Sequence, residues 1–188
     1  QRVIANPGTG TNVPIWLLGS SLFSARLAAE RGLPFAFASH FAPRMLLQAL
    51  DVYRSHFKPS AQLAKPWVII GVPLIAAPTD DEAEFLASST YQRVLGILTG
   101  QRGQLPPPVE HYLARRHPQE RAAIADFLAC AVIGSPETVR EGLTALAATT
   151  EADELMLVCD VFDPALRLRS LTLAAQAHSA AATEAAHG

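Results

Sequence analysis

Three serines grouped around one glycine are the residues of this chain best placed to do chemistry. Gly19, Ser20, Ser21 and Ser24 follow the apolar run at residues 13–18 and open an amphipathic stretch, LFSARLAAER, that stops at Gly32. Hydroxyls at such a junction cap the first turn of a helix. The unpaired N–H groups there, with the positive end of the helix dipole, attract an anion such as a phosphate. Each charge–dipole contact contributes about 0.3–2 kcal/mol, so a phosphate site needs several converging donors. The same residues also read as an ordinary serine-capped helix, and local pattern alone does not separate the two readings.

His40 is the second candidate. It closes the short apolar run at residues 35–38 and is the histidine that stands beside an expected strand end. An imidazole there acts as a general acid or base or faces a ligand, or it is a rim side chain bonded to backbone. His56, His111 and His117 have no carboxylate or cysteine partners at metal-ligand spacing, so no metal site is expected. Asp160, just after the last apolar run, either orients a ligand or caps a turn. No GxSxG, P-loop or GxGxxG pattern is present.

The elements that must position these groups follow from periodicity. Strands are expected at residues 13–18, 35–38, 67–77 and 154–159, each a continuous apolar run of the kind buried on both faces. Residues 130–133 read as a further brief strand or extended segment, and the Pro73 inside the third run must lie near an end, an edge or a bulge. Trp16 and Trp67 fall within these runs and read as core residues.

Helices are expected between the strands, with starts at Ser21, Pro43, Thr79, Ser135 and Asp163 and a stop at Gly32. Thr79 and Glu82 are spaced as a capping box. Strands alternating with amphipathic helices specify an α/β fold with a parallel sheet. The C-terminal strand ends then share one rim, which collects Gly19, Ser20, Ser21, Ser39, His40, Pro78, Thr79 and Asp160.

Composition narrows the class. With 188 residues, 49% of them hydrophobic, the chain is large enough for a single domain with a covered sheet. Charged residues make up 17% and the net charge is −2, with no basic run, so nucleic acid is not an expected partner. No apolar run is long enough to span a bilayer and no leader pattern is present, which sets the expectation of a cytoplasmic protein without membrane contact. Cys130 and Cys159 lie in apolar stretches and read as small buried thiols.

The segments VPIWLLGSS, SARLAAERGLPFAFASHFAP, VIGSPETVREGL and DELMLVCDVFD resemble the luciferase-like monooxygenase family, the flavin-dependent oxidoreductases related to bacterial luciferase. The likeness runs from about Ala5 to about Ala175, and its first block is the most specific part. It implies a TIM (β/α)8 barrel, a flavoprotein using reduced FMN (in some relatives a deazaflavin) with O2 and a small organic substrate, and a flavin reductase as supplier of the reduced cofactor. Carried over by position, Ser21 and Ser24 bind the flavin phosphate through their hydroxyls, Ser20 through backbone and Gly19 at the turn, while His40 faces the pocket.

The chain departs from the family pattern in holding only the last four strands, the C-terminal half of a barrel. One partial-barrel domain, 1–188, is therefore expected, with a Pro-rich insertion around 100–133 and a tail frayed after about residue 178. A start at Gln1 rather than Met sets the further expectation of a part of a longer protein. Unpaired edges imply a homodimer or association with the missing N-terminal half. Two other readings stay open: a non-catalytic flavin-binding or interaction module, and a phosphate-binding barrel enzyme that uses no flavin.

Overall fold

Among the described residues, five parallel strands are interleaved with six α-helices. They are β1 (Leu17–Gly19), α1 (Leu22–Arg31), β2 (Phe35–Phe37), α2 (Leu46–Ser55), β3 (Val68–Ala76), α3 (Asp80–Leu98), α4 (Pro118–Phe127), β4 (Val132–Gly134), α5 (Pro136–Thr150), β5 (Glu154–Val158) and α6 (Pro164–Ala185). The computed structural model describes residue 4 and residues 6–185, with side chains described as far as residue 177. The expected fraying after residue 178 falls beyond the described side chains.

The helix boundaries follow from capping chemistry. Ser21 caps α1, and Gly32 ends it in the left-handed region at φ 61°, where its N–H reaches the Ala28 and Ala29 carbonyls. Pro43 opens a 3-10 turn that runs into α2. Ser135 caps α5, and Asp163 accepts the Ala165 and Leu166 N–H groups at the start of α6. At α3 only half of the expected capping box forms. Thr79 accepts the Glu82 N–H at 3.2 Å, but the Glu82 carboxylate pairs with Arg169 on α6 instead of turning back. An available guanidinium outcompetes a single backbone N–H for that carboxylate.

β3 is the centre of the sheet. Its first part pairs with β2 (Phe35↔Val68 to Phe37↔Ile70) and with β5 (Ile69↔Glu154 to Pro73↔Val158), and its end pairs with β4 (Leu74↔Val132 to Ala76↔Gly134). β1 pairs only with β2 and forms an edge. Pro73 thus lies within a central strand, at the last pair of the β5 ladder, just before β4 takes over the pairing.

Alternation along β3 separates two faces. Val68, Ile70, Val72, Leu74 and Ala76 are buried in the core beneath α1, α2, α5 and α6, together with Phe35, Phe37 and Tyr53. Residues between them, Gly71, Pro73 and Ile75, look to the other face, where no helix layer lies over the first part of the sheet. On that face Leu18 is 70% exposed and Met156 57% exposed. Helices on one face and an open inner face describe a partial barrel of parallel βα units.

Two expectations about burial are corrected here. Residues 13–18 are not a strand covered on both faces: only Leu17 and Leu18 of that run are in β1, and Val13, Ile15, Trp16 and Leu18 are exposed. An apolar run is buried only if a neighbour covers it, and β1 has a partner on one side alone. Trp67 is half-buried rather than a core residue, with its indole N–H donating to Glu154 at 2.9 Å.

Candidate functional site

The serine corner is built by a close approach of strand to helix. Ser21 and Ser24 cap α1 reciprocally: the Ser24 N–H donates to Ser21 Oγ and the Ser21 N–H to Ser24 Oγ, each at 3.3 Å. Ser24 is buried, and its hydroxyl donates to the Ser21 carbonyl at 2.8 Å. Ser21 is exposed, Ser20 half-buried, and the Leu22 and Phe23 N–H groups have no hydrogen-bond partner among the described residues. The entrance of α1 therefore offers two amides without partners among the described residues beside the exposed Ser21, whose hydroxyl is engaged with Ser24. Gly19 lets this happen, since a Cβ there would lie 2.2 Å from Ser24 Oγ.

Hydrogen bonds tie this corner to the neighbouring strand ends. The Gly19 carbonyl accepts the Ala38 N–H at 2.9 Å, and the fully buried Ser39 donates its hydroxyl to the Gly71 carbonyl at 2.5 Å. His40 is thereby laid on the inner face of β3, where a Cβ on Gly71 would stand 2.4 Å from its Nδ1. Nδ1 is buried against the Gly71 backbone, and the ring packs against Phe41 at 4.2 Å between centroids.

Burial pushes the His40 imidazole below its ordinary value. The Gly71 backbone and Asp160 offset part of this, and Arg93 adds to it. A histidine with a depressed folded value binds fewer protons than its unfolded counterpart, so stability falls as pH drops through about 6.5 toward that lower value. Urea midpoints measured from pH 7.5 down to pH 5 are expected to fall less steeply in His40→Gln than in the unmodified chain; parallel curves would show that the ring is not desolvated.

Beside His40 a cavity of about 260 Å³ opens at the ends of β3 and β5. Its walls are apolar, from Pro73, Ile75, Val94, Phe127, Ile133 and Val158 among others, and its polar groups are His40, Thr90, Arg93 and Asp160. Arg93, on α3, pairs with the Asp160 carboxylate, and Thr90 donates to the Asp160 carbonyl at 3.1 Å. The four serine-corner residues do not line this cavity. The rim thus holds two places on adjacent strand ends, a serine corner at β1 and a mostly apolar chamber lined by His40 from the segment after β2.

Sequence reasoning singled out Asp160 but missed Thr90 and Arg93. The available signal was a polar pair set into the inward stripe Ala83, Leu86, Ala87, Val94 of α3, a helix expected only to cover the sheet. Among the described residues no cluster of metal-binding side chains occurs, and no helix is long and apolar enough to cross a membrane.

The model of the family described as luciferase-like monooxygenase matches residues 1–153. This chain belongs to that family. A protein of Escherichia coli (strain K12) named luciferase-like monooxygenase is 48% identical over 168 residues, which cover 89% of this chain and 50% of that protein. The chain spans about half the length of the curated relatives it matches. Among solved structures, apo-MsnO8 matches with a TM-score of 0.75 at 31% identity, over 92% of this chain and 53% of that one. The oxygenating constituent of 3,6-diketocamphane monooxygenase from Pseudomonas putida, a type II Baeyer–Villiger monooxygenase in complex with FMN, matches at 22% identity and a TM-score of 0.59, over 89% of this chain and 48% of that one; at that identity the likeness concerns the fold.

Proposed function

We propose that this chain forms the cofactor-phosphate corner and one wall of the substrate chamber in a flavin-dependent monooxygenase acting on a small organic molecule with reduced FMN and O2. The observation that carries the reading is the entrance of α1, where the Leu22 and Phe23 amides have no partner among the described residues and the exposed Ser21 side chain caps the turn by accepting the Ser24 N–H. An anion there meets aligned N–H donors and the positive end of a ten-residue helix. Family membership and an FMN-bound structural neighbour support the choice of cofactor.

The chemistry supplied by reduced FMN when bound is activation of O2 for transfer of one oxygen atom to substrate. This chain's residues do the rest. Ser21 and the first amides of α1 hold the phosphate, with Ser24 fixing the turn through the Ser21 carbonyl. Gly19 and Ala38 keep that turn beside the segment that carries His40. His40 offers a neutral imidazole to the chamber at pH 7, and the apolar walls exclude water from it. The reading includes association, with further barrel strands or with a second copy, across the inner face where Leu18 and Met156 stand exposed.

Quenching of FMN fluorescence on titration with the chain tests the corner. Ser21→Ala with Ser24→Ala is expected to weaken FMN at least tenfold, roughly 1.4 kcal/mol. Unchanged affinity in a variant that melts as the unmodified chain does would remove the phosphate assignment.

A further inference from the structure

α4 has a single buried side chain, Ile124, although its end supplies Phe127 and the next residue, Leu128, to the chamber wall. An element with so few buried contacts opens locally at low cost. The chain is fixed on either side of it. Upstream, two residues of α3 hold the Pro-rich segment: Ser88 Oγ accepts the Val109 N–H at 2.7 Å, and Gln92 Nε2 donates to the Pro107 carbonyl at 2.9 Å. Downstream, Val132 enters the ladder with β3. Residues 110–131 thus form a flap with two anchored ends.

This flap rests on α3 along one side and reaches the turn Pro43–Met45 on the other. There Arg44 pairs with Asp126, with side chains 74% and 57% exposed. Both partners adjoin chamber walls, since Asp126 directly precedes Phe127 and Arg44 follows Phe41 by three residues. The ion pair therefore ties the wall contributed by α4 to the wall contributed by the segment after β2.

We infer that α4 is a hinged cover of the chamber and that Arg44–Asp126 is the latch holding it shut, so that access to the chamber rises with ionic strength. An exposed pair contributes little and is screened by salt, which suits a latch that opens and closes rather than a permanent brace. Releasing it changes the open population about two- to fivefold. The inference concerns entry to the chamber and stands independently of the flavin reading.

Alkylation of an Ile133→Cys variant by iodoacetamide tests it, because Ile133 lines the chamber and the reagent is uncharged. Peptide mass mapping follows that thiol apart from Cys130 and Cys159. Labelling at position 133 is expected to quicken about two- to fivefold from low to high salt. Adding Asp126→Asn should give the fast rate at both salts. Adding the exchanged pair, Arg44→Asp with Asp126→Arg, should restore slow, salt-sensitive labelling. Hydrogen exchange of the α4 amides should follow the same order while α3 stays protected.

A rate that Asp126→Asn leaves unchanged would overturn the latch, and so would failure of the exchanged pair to restore it. Faster exchange spread equally over α3 and α4 would show general loosening and overturn the hinged cover.

Discussion

Gly19→Ala is expected to break the serine corner and to lower FMN affinity at least tenfold, roughly 1.4 kcal/mol. A methyl group at Gly19 would stand 2.2 Å from Ser24 Oγ and 2.3 Å from Ser24 Cβ. The hydroxyl can rotate away, but Cβ is fixed to the α1 backbone, so β1 and the first turn of α1 must separate. Forced overpacking of this kind costs about 1–3 kcal/mol, and loss of the reciprocal cap adds about 1 kcal/mol. Urea unfolding and FMN titration read the two effects separately. Combining Gly19→Ala with Ser24→Gly should recover part of the stability by making room, yet not the FMN affinity. If Gly19→Ala binds FMN like the unmodified chain, close strand–helix approach is not what shapes the corner.

Tyr53→Ala is expected to lose about 3–5 kcal/mol of stability, the range for truncating a buried aromatic. That is a large share of the roughly 5–15 kcal/mol that holds an ordinary domain together. Tyr53 is fully buried, with its ring 5.3 Å from Phe35 and 5.7 Å from Phe57 between centroids. Its hydroxyl lies 2.9 Å from the Leu33 carbonyl and 3.3 Å from the Trp67 carbonyl, and it accepts the Trp67 N–H at 3.2 Å. The side chain thus pins the approaches to β2 and β3 against α2. Tyr53→Phe keeps the ring and should lose only about 1–3 kcal/mol, the cost of leaving those backbone groups unsatisfied. Equal urea midpoints for Tyr53→Phe and the unmodified chain would show that the hydroxyl contributes nothing; a small loss in Tyr53→Ala would mean the core refills the space.

Helix starts were legible because a cap is a local event. Ser21, Thr79, Ser135 and Asp163 each satisfy amides within a few residues, so their spacing carries the information. Burial of strands was less legible, because it depends on neighbours distant in sequence. The run at residues 13–18 has the composition of a covered strand, but only β2 pairs beside it and its inner face is open. β4 has three residues, too few to display alternation, and exists because the end of β3 offers a free edge. Pro73 is tolerated in the central strand because one ladder ends there as another begins.

The candidate site was half legible. A strand followed by glycine, serine and an amphipathic helix names a strand-end corner from local pattern, and Gly19, Ser21 and Ser24 meet there. The chamber was not, since it needs α3 to return Thr90 and Arg93 over the end of β5, a contact spanning 67 residues in sequence between Arg93 and Asp160. His40 was found by its place after β2, but its seat on Gly71 comes only from pairing in three dimensions.

Under the proposed function, the entrance of α1 recognises the terminal phosphate of a flavin. Titrating the unmodified chain with FMN and with riboflavin, which shares the ring and lacks the phosphate, tests it most directly. FMN is expected to bind at least tenfold tighter, a margin that shrinks in high salt as surface electrostatics are screened. Equal affinities for the two flavins, or binding of neither, would contradict it.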